Sequence, residues 1–169
     1  MIMMRKNMTW VLPAMVLTLG ACSSSDPIEP VTPATVVDVA LSVNASTGEF
    51  STLIAALGAA DLVGTLQGAG PFTVFAPTDA AFAELDLNAG NIGALPAETL
   101  REILLYHVAP ARRDAANVTA ATSIAMANGG TTAVSVTQGG AFINDARIVQ
   151  TDVTARNGII HVIDAVLMP

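Results

Sequence analysis

One cysteine, Cys22, two histidines and one tryptophan, Trp10, are all that 169 residues supply of those types. A single cysteine excludes an internal disulfide, and without HxH or CxxC spacings the case for a bound metal is weak. Aromatic residues make up 4% of the chain against 52% hydrophobic, so the core is expected to be aliphatic and close-packed. Lysine is absent after Lys6. From Cys22 onward five arginines face fourteen acids, a net charge of −9. A surface of that sign repels phosphate backbones, which removes nucleic acid from the expected partners. There is no GxSxG elbow, and the glycine-rich stretches lack the lysine of a phosphate cradle. No enzymatic activity and no cofactor are therefore expected.

What is present begins with a leader. Arg5 and Lys6 form a positive n-region and Trp10 to Gly20 an apolar h-region too short to span a bilayer. Leu19-Gly20-Ala21-Cys22 resembles a bacterial lipobox, which predicts a lipoprotein signal peptide over residues 1–21 and acylation of the Cys22 thiol. Several acyl chains at one site give stable anchoring, at about 0.8 kcal/mol per buried methylene. Residues 22–34 then read as the lipidated cysteine and a tether rich in Ser and Pro. Its reach is at most about 40 Å. The predicted address is the cell envelope, outside the cytoplasmic membrane, on a lipid anchor.

Residues 35–169 suit one domain. Thr35 and Asp38 form a candidate capping box opening a helix through Val43. Phe50, Leu53, Ile54 and Leu57 recur at helical spacing, and Leu62, Val63 and Leu66 add another turn. Phe72 to Ala76 reads as a strand that turns at Pro77 and enters a helix through Thr78 and Asp79, both good N-cap residues. Pro96 suits the first turn of a helix whose stripe is Leu100, Ile103, Leu104 and His107. From Thr122 onward the pattern is β-rich, with Thr132, Val134 and Val136 alternating against Ala133, Ser135 and Thr137. Gly139-Gly140 suits a hairpin turn. Three strands are expected at the end: Ala146 to Gln150, Val153 to Arg156, and Gly158 to Ile163 with an extension to Met168. Asn157-Gly158 is read as a tight turn with positive φ. Helices first and strands last define an α+β class.

The candidates for chemistry carry structural explanations beside the functional ones. His107 closes a helix, where a cation is favoured, yet it lies on the apolar stripe of a core histidine. His161 shares a strand face with Ile159 and Ile163 and reads the same way. Tyr106 places its ring in the core with its hydroxyl finding a partner. Asp79 is read as capping its own helix, and Arg112-Arg113-Asp114 as a solvated loop.

Three pieces, GPFTVFAPTDAAFAEL at 70–85, LLYHV at 104–108 and ARIVQTDVTARNGIIHVIDAVLMP at 146–169, match the fasciclin-like domain in order and spacing, and the chain resembles that family over residues 35–169. The resemblance implies a β-sandwich or wedge with helices packed around it. It also implies a noncatalytic role in adhesion or matrix contact outside the cell, with Tyr106 and His107 as candidate partner-binding residues. Pro77, Thr78, Asp79, Asn157, Gly158 and His161 are the structural positions. The expected partners are the membrane, through lipid on Cys22, and an envelope or matrix protein or glycan, met by a monomer. The alternative is a carrier of a small apolar ligand, which requires a cavity of roughly 300 Å³ or more.

Overall fold

The computed structural model describes residues 34–169. The expected signal peptide, the expected lipid site Cys22 and the expected tether through residue 33 lie outside the described residues.

Thr35 does open the first helix, α1 (Val36–Thr47), with the reciprocal capping box in place: Asp38 N donates to Thr35 Oγ1 at 3.3 Å and Thr35 N to Asp38 Oδ2 at 2.9 Å. Thr35 Oγ1 also donates to Asp38 Oδ2 at 2.7 Å, and this bond first, with that from Thr35 N second, holds the Asp38 carboxyl below its ordinary pKa. Gly48, at φ 75°, ends the helix in the left-handed conformation that glycine tolerates best. Then follow α2 (Ser51–Ala59), α3 (Val63–Leu66), β1 (Phe72–Pro77) and α4 (Asp79–Ala83). A 3₁₀ turn at Ile92–Ala94 precedes α5 (Ala97–Tyr106), β2 (Val108–Ala109) and α6 (Ala115–Ala120). The rest is β: β3 (Ser123–Ala125), β4 (Thr131–Thr137), β5 (Gly140–Ile143), β6 (Ala146–Ala155) and β7 (Gly158–Ile163).

The α+β class holds, with all seven strands in one sheet of order β2-β1-β7-β6-β5-β4-β3. β1 runs parallel to β7, from Phe72 opposite Gly158 to Pro77 opposite Ile163, while every other pairing is antiparallel. Just past β3, Ala127 N donates to Val108 O of β2 at 2.7 Å. The two ends of the sheet therefore meet, and the sheet curls into a barrel-like form. Its inner face gathers Phe75, Ile124, Ile143, Ile148 and Ile163 into one apolar cluster. Val74, Ala76, Ile160 and Val162 point the other way and join α1, α2 and α5 in a second. β7 is thus buried on both faces, as a central strand is, and it ends at Ile163 rather than extending to Met168.

Four further local expectations are corrected. The segments read as two strands, Ala146 to Gln150 and Val153 to Arg156, are one strand, β6, with register irregularities between Ile148 and Val153 and Asp152 at φ 58°. The turn at Asn157-Gly158 has no positive φ. Among the non-glycine residues from β5 onward that conformation falls on Asn144, at φ 52°, between β5 and β6, and on Asp152 within β6. Gly158 is required for a different reason, since a Cβ there would run into Phe72 O on β1. Gly70 meets the same limit against Asn157 O, so the two glycines let β1 and the β6–β7 turn close on each other.

The third correction concerns Asp79. Thr78 caps α4, accepting from Ala81 N, but the Asp79 carboxylate reaches back to α2 and accepts from Ser51 N at 3.2 Å and Thr52 N at 2.8 Å. Phe50, at the start of α2, has no side chain to do this. Asp79 therefore supplies from another element both the missing acceptor and a negative charge at a helix N-terminus. Replacing Asp79 with alanine is expected to cost about 1.5 kcal/mol, seen as a lower urea midpoint with unchanged slope. A loss below about 0.3 kcal/mol would deny the cap. The fourth correction, a partial one to the loop at Arg112 to Asp114, belongs to the site.

Candidate functional site

Both histidines are internal, and each is fixed in one tautomer by backbone partners. His107 closes α5 at 2% exposure. Its Nδ1 lies 2.7 Å from Ile103 O, an acceptor only, so this nitrogen carries the proton and donates. Its Nε2 accepts from Leu167 N at 2.9 Å. Burial pushes its pKa down to about 4, against the opposing pull of the Ile103 carbonyl. The helix end does not host a cation here, because desolvation outweighs the attraction of the last carbonyls.

His161 takes the opposite tautomer. Its Nε2 donates to Arg113 O at 2.9 Å and its Nδ1 accepts from Asp152 N at 3.4 Å, while its ring stacks on Phe75 with centroids 5.6 Å apart. The positive φ at Asp152 delivers its N–H to the imidazole. The Arg112–Asp114 loop is accordingly held through the Arg113 backbone, while Arg112 and Asp114 are exposed as a solvated loop predicts. Buried Thr73 donates from Oγ1 to Ala111 O at 2.6 Å and accepts from Arg113 N at 2.8 Å. Asp114 then caps α6, a helix whose short, alanine-rich sequence gave no period to read.

Tyr106 is buried too. Its hydroxyl donates to Thr131 O at 3.0 Å and accepts from Asn144 Nδ2 at 3.4 Å. Its ring lies so close to Gly130 that a Cβ at that glycine would meet Cε2 at 2.8 Å. Tyr106 and His107 therefore face inward, one toward the β3–β4 loop and the other toward the C-terminal segment. Asp79 is occupied at α2, so His107, His161 and Asp79 each have separate partners. Among the described residues no three His, Cys, Asp or Glu side chains group to hold a metal ion.

Asn157 was read only as a turn residue and is a hub. At 4% exposure its Oδ1 accepts from Val36 N at 2.9 Å, and its Nδ2 donates to Leu66 O at 2.7 Å and Gly68 O at 2.8 Å. One side chain thus ties the start of α1 and the end of α3 to the β6–β7 turn. Its own carbonyl accepts from Phe72 N at 2.9 Å, opening β1. Three long-range partners from one amide are not visible in local sequence.

The second feature that sequence could not place is an apolar pocket of about 330 Å³. It lies between α2, the Phe82–Leu87 segment, the 3₁₀ turn, α5 and the C-terminal residues Val166 and Met168. Thr99 is its only polar lining residue.

Comparison with known proteins identifies the class. A family model, the Fasciclin domain, matches residues 48–169. Protein sll1483 of Synechocystis sp. is 44% identical over 137 residues, covering 80% of this chain and 73% of that protein. Transforming growth factor-beta-induced protein ig-h3 of Sus scrofa is 35% identical over 135 residues, 80% of this chain but 19% of that protein. Immunogenic protein MPB70 of Mycobacterium bovis is 35% identical over 128 residues, 72% of this chain and 64% of its own length. The chain belongs to the fasciclin family. Its fold is similar to that of a FAS1 domain pair from the insect cell adhesion molecule Fasciclin I, with a TM-score of 0.64 at 19% identity. That match covers 80% of this chain and 51% of the pair.

Proposed function

We propose that the chain is a noncatalytic binding module, held outside the cytoplasmic membrane by lipid on Cys22 and mediating adhesion or contact with an envelope or matrix protein or glycan. The supporting observation is that the side chains best suited to chemistry, His107 and His161, have both ring nitrogens engaged by backbone inside the core. What such a domain offers a partner is its surface. Tyr106 and His107 contribute by supporting that surface: Tyr106 holds the loop at Gly130 and Thr131, and His107 holds Leu167. Val136 on β4 and Val149 on β6, 59% and 52% exposed, are apolar residues open to a partner. No described helix is long and apolar enough to cross a membrane. Cys22→Ser is expected to move the chain from the membrane fraction to the soluble fraction. An unchanged distribution would remove the lipid anchor.

A second reading, a carrier of a small apolar ligand, is supported by the pocket. At about 330 Å³ it exceeds the lower bound of ligand sites, roughly 300 Å³, and its lining is almost wholly apolar.

A further inference from the structure

The pocket's chemistry narrows what could enter it. We propose that it takes one unbranched alkyl chain, with a head group that stays at the surface and is neutral or cationic rather than carboxylate. This rests on the apolar-ligand reading and specifies it.

Three observations converge. The first is size: at about 30 Å³ per water-sized group, 330 Å³ holds roughly eleven chain carbons. The second is the distribution of polarity. Thr99 is exposed, so the one polar side chain of the lining stands at the mouth, and the interior is lined by residues such as Ala56, Phe82, Ile92 and Leu104. Nothing inside would pair with a buried polar group, and leaving one unpaired is costly. A plain hydrocarbon loses nothing there. Leu85 and Met168, 42% and 56% exposed, also line the pocket. They place its opening at solvent, where a head group could remain wet, and the flexible thioether of Met168 can adapt around an entering chain.

The third observation is charge. The segments that form the pocket, or adjoin its lining residues, carry exposed Glu84, Asp86, Glu98, Glu102 and Asp164 against one exposed cation, Arg101. Asp164 Oδ1 accepts from Arg147 N. The net charge of these segments is therefore negative. It opposes a carboxylate head and favours a cation, an effect that salt screens.

The test uses the full chain in mild buffer with three ten-carbon probes below their aggregation concentrations: decyltrimethylammonium, 1-decanol and decanoate. Titration calorimetry is expected to give one site per chain, with decanoate at least about tenfold weaker than decyltrimethylammonium at low ionic strength and the gap narrowing in concentrated salt. Affinity should rise about fourfold per methylene from six to ten carbons, following about 0.8 kcal/mol per buried methylene, and level off beyond about eleven. Thr99→Trp, at the exposed mouth, should block binding without changing the melting temperature. Ile103→Trp, which fills the pocket from α5, should block it as well. If a cooperatively folded chain binds neither the alkyl probes nor naphthalene, both this proposal and the apolar-ligand reading fail. If compact ring compounds such as naphthalene bind while the alkyl probes do not, the apolar-ligand reading stands and the alkyl assignment is overturned. Equal affinity for decanoate and decyltrimethylammonium at low salt would overturn the head-group selectivity.

Discussion

Asn157→Asp is expected to destabilise the domain by about 4 kcal/mol at neutral pH, an effect out of proportion to exchanging one NH₂ for an oxygen. The wild-type amide accepts from Val36 N and donates to Leu66 O and Gly68 O. The substitution keeps the acceptor and removes both donors. It also sets a carboxylate against two carbonyl oxygens at a buried position. Two hydrogen bonds at about 1 kcal/mol each, plus the cost of a buried and unpaired charge, give that sum. Asn157→Ala loses all three bonds but introduces no charge, and should cost about 3 kcal/mol. The introduced carboxyl should have a raised folded-state pKa, so its penalty is present at neutral pH and shrinks as the pH falls through that value. Urea unfolding of the three proteins at neutral and mildly acidic pH measures this. If both variants stay within about 1 kcal/mol of wild type, Asn157 is not the joint that ties α1 and α3 to the barrel.

The second large effect is the pH dependence carried by His107. Its pKa is 6.5 in its ordinary state and about 4 in the fold. The folded value is the lower one, so protons bind preferentially to the unfolded chain. The neutral ring's contribution is complete above 6.5, is lost as the pH falls toward 4, and changes no further below that. At about 1.4 kcal/mol per unit across this window, the loss is about 3 kcal/mol. The geometry gives the reason: a proton on Nε2 would face the N–H of Leu167, from which it now accepts, at a buried position. His107→Gln should be less stable at neutral pH, and its stability should fall less between pH 6.5 and 4. The difference between the two curves isolates residue 107 from the carboxylates. Asp38, held below its ordinary value, gives up its contribution only at lower pH. Parallel curves for wild type and variant would contradict the buried neutral imidazole.

The elements with a strong local signal were legible before any coordinates. The Thr35–Asp38 box, the Phe50–Leu57 stripe, Thr78 at the start of α4 and the α5 stripe all turn on contacts within one helical turn or a few residues. Those contacts are written in the spacing. Asp79 was misassigned because a cap can be supplied across 27 residues as well as across three. Asn157 was undervalued for the same reason, since its partners are 89 to 121 residues away. The Asn157-Gly158 dipeptide suggested a left-handed turn, whereas its glycine answers to the closeness of β1. Beyond Val134 the alternation of β4 stopped predicting burial, because the strand runs past the core and leaves Val136 exposed. The pocket is illegible in principle: it is a gap between five segments, and no one of them signals it.

The proposal that this fasciclin domain acts as an anchored contact module is tested most directly by attachment of intact cells. Cells lacking the gene, and the same cells complemented with wild type or with Cys22→Ser, are compared for surface attachment and aggregation. The account predicts that deletion lowers attachment, that wild type restores it, and that the unanchored variant does not although its folded domain is produced. Unchanged attachment on deletion, or full restoration by Cys22→Ser, would contradict it.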